Sequence, residues 1–363
     1  MKLKLKALII LLLTTTVFCG CALRQDMVLI EPGNMTLKEV AQSERQWTGI
    51  AFSRDGRMFV NFPRWSDNVP VSVAVVQSDG SLLPYPDKEW NSWDEEKSAR
   101  DHFVCVQSVY VDPAGFLWIL DPANPKFQGV VEDGPKLLKI DPETGWIKRK
   151  FMFDQKIAPE NSYLNDVRVD TMRNFAYITD SGAGALIVVD LDSGETRRVL
   201  ENHPSTKADD ITLIIGGKAW LRPDGSKPKI HADGIALDMA NDWVYFQSLT
   251  GRTLYGIRGE ALRNHNLSDN RLGRMVKRVT NSGAADGLIF APDRCVYISS
   301  LEHDAIKRIC PIQGPETVIN DPRISWPDSF AIGPDGYLYF TTSKIHIPDP
   351  PEPYKIFKLI PKE

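Results

Sequence analysis

The feature of this sequence that most constrains its fold is a hairpin motif that occurs six times. Each copy has a short apolar strand, a turn rich in Asp, Gly, Pro or Asn, and a second strand rich in aromatic and β-branched residues. The copies are IAFSRDGRMFVNFP, VYVDPAGFLWILDP, VRVDTMRNFAYITDS, IALDMANDWVYFQSL, LIFAPDRCVYISSL and FAIGPDGYLYFTTS, which begin at Ile50, Val109, Val167, Ile235, Leu288 and Phe330. A third strand follows each copy, and several copies lead on to a fourth. Such units, repeated around an axis, predict an all-β fold, the six-bladed β-propeller with four-stranded blades.

Composition narrows the possible functions. Hydrophobic residues make up 42% and charged residues 25% of the 363 residues, which is typical of a globular chain with a sizeable core. The formal net charge is -4, and no block of basic residues occurs. We therefore expect no nucleic acid among the partners.

The N-terminus predicts export. Residues 1–21 have a lysine-rich start and an apolar run, and they end in Phe18-Cys19-Gly20-Cys21. This ending resembles a bacterial lipobox, in which the Cys after a small residue is acylated, although Phe18 stands where Leu is usual. We expect a periplasmic or cell-surface lipoprotein, in the outer membrane if the source is Gram-negative, which touches the membrane only through a lipid on Cys21. The alternative is a plain secretory signal with an incidental cysteine.

The predicted mature chain has two parts. Residues 22–46 form an N-terminal segment, and residues 47–363 form the propeller. We expect Met27–Gly33 to close the ring by adding a strand to the last blade.

Three cysteines remain after the signal segment. Cys295 and Cys310 bracket a predicted hairpin, so they face each other and can bond in an oxidising compartment. The alternative is a pair of small buried hydrophobic residues. Cys105 is expected to lie in the core.

Aligning the six copies places one polar residue at the same position in each blade. Equivalent positions in a closed propeller point at one axis, so these side chains are expected to converge at one mouth of the central channel and to bind a small-molecule ligand there. The residues are Thr48, Gln107, Asn165, Asp233, Asp286 and Asp328, with Asp166 beside them.

Clustered carboxylates need either a cation or raised pKa values. Oxygen ligands favour a hard ion, so one Ca²⁺ or another divalent ion on the axis is the predicted cofactor. The predicted metal ligands are Asn165, Asp233, Asp286 and Asp328. The alternative for each aspartate is a local role in capping a turn.

His231 is the candidate general base, with Asp233 beside it in the catalytic set. The alternative is an ordinary loop histidine. The longest insertion between repeats, about Ser205–Lys229, precedes the fourth inner strand and is either a lid over the mouth or a surface excursion.

The segments FVNFPRWSDNVPVSVAVV, NDVRVDTMRNFAYITDSGAGALIVVDL and HADGIALDMANDWVYFQSLTGRTLYGI resemble repeats of the major royal jelly protein and Yellow family. Bacterial members are often labelled as related to dopachrome tautomerase. The resemblance implies a six-bladed propeller with a ligand pocket on its axis. A more distant similarity to the senescence-marker and gluconolactonase propellers implies a divalent ion held by a Glu, an Asn and an Asp. Asn165 and Asp233 match two of these ligands, and Thr48 replaces the Glu.

Four functions follow as hypotheses, of which the last is a scaffold for protein partners. The first is capture of a small organic ligand in the acidic axial pocket. The second is metal-dependent hydrolysis of a lactone or ester. The third, which the family label alone implies, is isomerisation of an aminochrome. The sequence leaves the oligomeric state open.

Overall fold

A computed structural model describes residues 27–67 and 69–362 of the chain. These residues form six antiparallel four-stranded sheets, which confirms the predicted six-bladed propeller. The predicted signal segment and the lipidation site at Cys21 lie outside the described residues.

Five blades follow chain order from the innermost strand outward, and the sixth combines both ends of the described chain. Blade 1 consists of β2 (Ile50–Phe52), β3 (Met58–Asn61), β4 (Val73–Val76) and β5 (Leu82–Pro84). Blade 2 consists of β6 (Ser108–Val111), β7 (Leu117–Asp121), β8 (Lys136–Ile140) and β9 (Ile147–Met152). Blade 3 consists of β10 (Leu164–Asp170), β11 (Phe175–Asp180), β12 (Ala185–Asp190) and β13 (Thr196–Val199). Blade 4 consists of β16 (Ala232–Asp238), β17 (Trp243–Ser248), β18 (Thr253–Arg258) and β19 (Lys277–Asn281). Blade 5 consists of β20 (Leu288–Phe290), β21 (Val296–Ser300), β22 (Ala305–Ile309) and β23 (Pro315–Asn320). Blade 6 consists of β24 (Pro327–Ile332), β25 (Leu338–Thr342), β26 (Tyr354–Pro361) and β1 (Met35–Ser43).

The ring closes through β1, which pairs antiparallel with β26 from Met35 opposite Pro361 to Ser43 opposite Tyr354. The expectation that Met27–Gly33 forms this strand was wrong in its residues, although the N-terminal segment does close the ring. Residues 27–34 instead run along the blade edge, where the amide of Val28 donates to the carbonyl of Gly336 at 2.9 Å. The strand begins after the turn at Gly33, because MTLKEV supplies the apolar residues Met35 and Leu37 that pack into the core between blades 5 and 6.

The core lies between the blades, because each sheet packs against a neighbour on both faces. The strand β12, with the sequence ALIVVD, is buried over its first five residues for this reason. One cluster joins Tyr177 and Val188 of blade 3 to Ile235 and Phe246 of blade 4. A strand that is apolar along its whole length therefore suits the middle of a propeller blade, where both faces of the sheet are buried. In an open sheet one face of such a strand would be exposed.

The cysteine pair is joined in a disulfide in blade 5. Cys295 and Cys310 flank the β21–β22 hairpin, in which Val296 lies opposite Ile309, and their Cα atoms are 4.2 Å apart. Cys105 is buried and not disulfide-bonded. The structure thus shows a disulfide rather than the alternative, a pair of small buried hydrophobic residues.

Helical structure is confined to connections. The helices α1 (Gly259–Arg263) and α2 (Asp269–Met275) link β18 to β19, and short 3₁₀ turns span Pro125–Phe127 and Leu301–His303. The long insertion contains the small hairpin β14 (Ile214–Ile215) and β15 (Lys218–Ala219). Within residues 27–67 and 69–362, no helix has the length and apolar character needed to span a bilayer.

Candidate functional site

The six equivalent polar residues predicted from the repeats, called the axial ring below, lie at one end of the channel. Asp233, Asp286 and Asp328 interact with one another there, whereas the Thr48 hydroxyl donates to the carbonyl of Gln107 at 3.0 Å and accepts from Asn61 at 2.8 Å, between blades 1 and 2. Each of the six stands at or just before the start of an innermost strand, and the innermost strands contact one another in sequence around the axis. All six side chains are buried, as is Asp166. We call this end of the propeller the ring face, and the end with the β10–β11 turn and its equivalents the opposite face.

Local irregularities at the strand starts aim the ring side chains at the axis. The pairing of inner and second strands shifts between Leu164 and Val167, between Ala232 and Ile235, and between Pro327 and Phe330. The ring residues of blades 3, 4 and 6 fall inside these shifts. Each shift contains one extra residue on the inner strand that makes no regular ladder hydrogen bond, and the strand bends there.

Second-strand side chains replace the backbone hydrogen bonds lost at these shifts. The Thr179 hydroxyl accepts from the amide of Asp166 at 3.2 Å, and the Thr341 hydroxyl accepts from that of Ser329 at 3.1 Å. In blade 5 the Ser299 hydroxyl accepts from the amide of Asp286 itself at 2.8 Å. The recurring Ser and Thr residues of the second strands thus satisfy buried amides that the irregular ladder leaves open.

Close approach of neighbouring blades explains the small residue that follows most ring positions. A Cβ atom on Gly234 would lie 2.1 Å from the carbonyl oxygen of Asp286, and one on Gly287 would lie 1.7 Å from that of Asp328. Neither distance is sterically possible without movement of the backbone. Glycine therefore sets the diameter of the ring on the side where the three aspartates meet.

The aspartates form a hydrogen-bonded cluster. The side-chain amide of Asn165 donates to Asp233 Oδ1 at 2.8 Å, and the indole N–H of Trp326 donates to Asp286 Oδ2 at 2.7 Å. A hydrogen bond joins the carboxyl groups of Asp233 and Asp286. The Ser329 hydroxyl donates to Asp328 at 3.1 Å.

Burial raises the pKa of every carboxyl group in this cluster. The pKa of Asp286 rises to about 7, chiefly through desolvation, although the hydrogen bonds from Trp326 and Asp233 oppose the rise. Desolvation and the neighbouring charge of Asp286 hold the pKa values of Asp233 and Asp328 well above the usual range for aspartate. The cluster therefore keeps protons near neutral pH unless a cation replaces them.

Arg168 is the cation that the repeat alignment did not single out. Its guanidinium donates across the channel to the carbonyl of Leu288 in blade 5 at 2.7 Å and lies 3.7 Å from Asp166. It also lies over the ring of Tyr110 in blade 2. Arg168 thus spans the channel beneath the axial ring and lowers the pKa of Asp166 against the stronger effect of burial.

A sequence signal for this pair exists. At the position of Asp166 the other repeats carry only Gly or Ser, and at the position of Arg168 they carry only apolar or aromatic residues. Blade 3 alone therefore departs from the pattern at both positions, with opposite charges.

An aromatic group borders the ring on the side of blades 1 to 3. The Tyr163 hydroxyl donates to Gln107 Oε1 at 2.9 Å and accepts from the indole N–H of Trp65 at 2.6 Å. Phe127 lies against both aromatic rings and is exposed. This group, Trp65, Phe127 and Tyr163, is called the first aromatic wall.

A second aromatic wall borders the ring on the side of blade 6. Trp326 is fully buried between Trp220, whose ring meets it edge-on at 4.8 Å, and His346, which stacks on it at 5.6 Å. Trp220 belongs to the insertion of residues 205–229, so this insertion packs directly on the side chain that donates to Asp286. The backbone of Trp326 has φ 56°, a left-handed conformation that costs energy for a bulky residue.

His231 lies on the same end of blade 4 as Asp233, but one of its ring nitrogens is engaged. Its Nδ1 accepts from the amide of Ala208 at 2.9 Å. Desolvation and the nearby Lys207 lower its pKa to about 4, so the imidazole is neutral at pH 7. The general-base role stays a prediction that rests on Nε2.

The metal prediction receives no geometric support from the side chains. Among the described residues, no group of three or more His, Cys, Asp or Glu is placed to hold a metal ion. The Asn165 amide nitrogen, rather than its oxygen, faces Asp233. The metal-ligand set of Asn165, Asp233, Asp286 and Asp328 stays a prediction.

A surface cavity of about 460 Å³ lies on the opposite face, between blades 3 and 4. Two of its three arginines are already paired with carboxylates, Arg263 with Asp242 and Arg173 with Asp170. The axial ring therefore has a stronger claim as a ligand site than this cavity.

The fold and the axial ring define a six-bladed propeller with a buried polar cluster at one end of its axis. Residues 104–314, more than half of the chain, match the family model described as Major royal jelly protein. The chain belongs to this family.

Relatives of known sequence support the assignment. The chain is 24% identical over 223 residues to major royal jelly protein 6 of Apis mellifera, a match that covers 57% of this chain and 47% of that protein. It is 23% identical over 217 residues to the Yellow protein of Drosophila madeirensis, covering 55% of this chain and 35% of that protein. The matches thus span less than half the length of these relatives.

Solved propellers share the fold at low identity. A gluconolactonase from Xanthomonas campestris superimposes with a TM-score of 0.55 at 13% identity, covering 94% of this chain and 93% of that one. Regucalcin from Agrobacterium tumefaciens, a calcium-binding protein, gives a TM-score of 0.53 at 13% identity, covering 89% and 94% of the two chains. At this identity the similarity concerns the fold alone.

Proposed function

We propose that this protein is an exported binding protein whose axial ring holds a small organic cation. The observation that carries the proposal is a shortage of positive charge at the ring. Among the described residues, Asp166 has Arg168 as an ion-pair partner, whereas Asp233, Asp286 and Asp328 have none. A ligand ammonium group would supply the missing charge and donate hydrogen bonds to the carboxylate oxygens.

The two aromatic walls favour an aromatic or otherwise flat apolar body on this ligand. Trp326, which donates to Asp286, is covered by Trp220 and His346, so its ring becomes accessible to a ligand only when Trp220 moves aside. A cation next to an aromatic ring uncovered in this way gains further stabilisation. Because the ring side chains are buried, a ligand would enter as the exposed Phe127 or the insertion carrying Trp220 moves aside.

A charge-matched pair of ligands tests the proposal. We expect the full chain to bind 2-phenylethylammonium at least ten times more tightly than 2-phenylethanol in calorimetry, since a charged hydrogen bond contributes about 1.5–3 kcal/mol. The double variant Asp286→Asn, Asp328→Asn should lose this preference, and Asp79→Asn, on the exposed turn between β4 and β5, should keep it. Equal affinity for the amine and the alcohol in the unaltered protein would contradict the proposal.

Binding is also expected to depend on pH. The pKa of Asp286 is about 7, so below pH 7 a bound cation must displace a proton from this carboxyl group. The affinity for the cation then falls about tenfold for each pH unit below 7. Affinity for 2-phenylethylammonium should therefore rise from pH 5 to pH 7 and level off above it. Affinity that is flat across this range would mean that no ring proton is displaced.

A divalent ion on the same carboxylates is the second candidate, and it would suit hydrolysis of a lactone or ester. The observation that favours it is again the set of buried acids that have no ion-pair partner among the described residues. Elemental analysis of the purified protein separates the two cases, because a tightly held calcium ion would leave metal in equimolar amount after gel filtration. The melting temperature measured with a chelator would then be lower than the one measured without it.

The location of the protein is part of the proposal. We place it outside the cytoplasm, with a lipid on Cys21, from the lipobox-like ending of residues 1–21 and from the disulfide in blade 5. Mass spectrometry of the N-terminal peptide tests the acylation, and Cys21→Ser should move the protein from the membrane fraction to the soluble fraction.

A further inference from the structure

We infer that the face opposite the axial ring rests on the bilayer surface, so that the ring face points away from the membrane. The inference rests on the proposed lipid at Cys21, and it goes beyond it by assigning the membrane-facing surface and the orientation of the site.

The first step is the place where the described chain begins. Val28 is held on the opposite face, where its amide donates to Gly336 in the β24–β25 turn. Arg308, near the end of β22 on the same side, donates to the carbonyl of Ile30 at 2.9 Å. Ile30 is buried in the core between blades 5 and 6. The start of the described chain is therefore fixed to the opposite face by hydrogen bonds and packing.

The second step is the reach of the tether. Six residue steps separate Cys21 from Met27, and an extended chain spans about 3.5 Å per residue, so the lipid lies within about 20 Å of Met27. The inner strands β10 and β16 have 7 residues each, which at about 3.3 Å per residue separates the two faces by about 23 Å. A tether of this length that starts on the opposite face does not bring the axial ring to the bilayer.

The third step is the chemistry of the opposite face. Large apolar side chains are exposed at five places around this face: Leu29 of the N-terminal segment, Trp146 of the β8–β9 turn, Met172 of the β10–β11 turn, Met275 of α2 and Ile312 of the β22–β23 turn. The ring face also exposes Phe127, Ile214 and Leu221, so the attachment of the N-terminal segment decides which face meets the bilayer. Charged residues of both signs lie among the apolar residues of the opposite face, so the expected contact is shallow insertion of apolar side chains rather than attraction by net charge. Indole and aliphatic side chains at this depth suit the headgroup boundary of a lipid surface.

The inference has a consequence for the proposed ligand. With the opposite face on the membrane, the axial ring opens toward the aqueous compartment and takes water-soluble cations. A ligand that must leave the bilayer to bind would have no direct path to the ring.

Position-dependent quenching tests the orientation. The full lipidated chain is reconstituted in vesicles of phosphatidylethanolamine and phosphatidylglycerol that carry brominated acyl chains. A fluorophore is attached at Met172→Cys on the opposite face or at Leu221→Cys in the insertion on the ring face, two positions that are 65% and 44% exposed. We expect the label at 172 to be quenched severalfold more strongly than the label at 221.

Equal quenching at the two positions, or stronger quenching at 221, would overturn the inference. A label at Asp79→Cys, on the opposite face of blade 1, gives an independent reading if the Met172 variant does not fold. Mass spectrometry of the same sample reports whether Cys21 is acylated, so absence of the lipid is distinguished from a lipidated protein with another orientation. Calorimetry with 2-phenylethylammonium on the same vesicles reports the proposed ligand function separately.

Discussion

The substitution Asp286→Asn tests directly whether the axial ring stores protons. The pKa of Asp286 rises from its usual 3.8 to about 7 in the folded protein, a difference of about 3 units. Each unit corresponds to 1.36 kcal/mol, so the folded state loses on the order of 4 kcal/mol relative to the unfolded state as pH rises from about 4 to about 7. The sign follows because the folded state binds more protons than the unfolded state throughout this window.

Asparagine keeps the shape of the side chain, and its oxygen still accepts from Trp326, but it does not titrate. The free energy of unfolding of Asp286→Asn, minus that of the unaltered protein, should therefore increase by about 4 kcal/mol between pH 4 and pH 7 and stay constant above it. Loss of the Asp286 charge also lowers the pKa values of Asp233 and Asp328, which changes the difference in the same direction.

Urea unfolding followed by tryptophan fluorescence, at half-unit steps from pH 4 to pH 8, measures this difference, provided that the denaturant slope stays constant. The control is Asp79→Asn, because hydrogen bonds from Ser81 lower the pKa of that exposed carboxyl. Its difference from the unaltered protein should show no upward trend. A flat difference for Asp286→Asn would refute the conclusion that burial in the ring holds a proton on this carboxyl.

Two further substitutions probe the scaffold. The disulfide between Cys295 and Cys310 closes a loop with a sequence separation of 15, so Cys310→Ser should lower the free energy of unfolding by about 3 kcal/mol. Reduction of the unaltered protein should reproduce this loss in the same urea titration, and an unchanged midpoint would contradict it. Lys136 is fully buried with its Nζ 3.0 Å from Asp121, so Lys136→Met leaves an unpaired buried carboxylate and should cost about 3–5 kcal/mol. The double variant Lys136→Met, Asp121→Asn should recover much of that loss, and equal stabilities of the single and double variants would show that the ion pair is not the cause.

Much of the axial ring was predictable because a propeller turns repeat position into spatial position. Once six copies of the hairpin were aligned, Asp233, Asp286 and Asp328 were expected to face one axis, and the structure brings their carboxyl groups together. The same reasoning placed β1 wrongly by several residues, since closure depends on which residues of the N-terminal segment pack against blade 5. That packing is a long-range contact between residues such as Leu37 and the end of the chain, for which the repeats give no guide.

By itself, then, the sequence determined the architecture, the blade count and the position of the axial ring, because these follow from periodicity and local turn chemistry. Only the tertiary structure decided how the ring is neutralised. Arg168 reaches Leu288, 120 residues away, and Trp326 reaches Asp286 from the adjacent blade. Contacts of this kind depend on side-chain direction and on the close approach that Gly287 permits, and neither is encoded in the spacing of the repeats. The protonation of the ring follows from the same burial, which exists only after all six blades have closed.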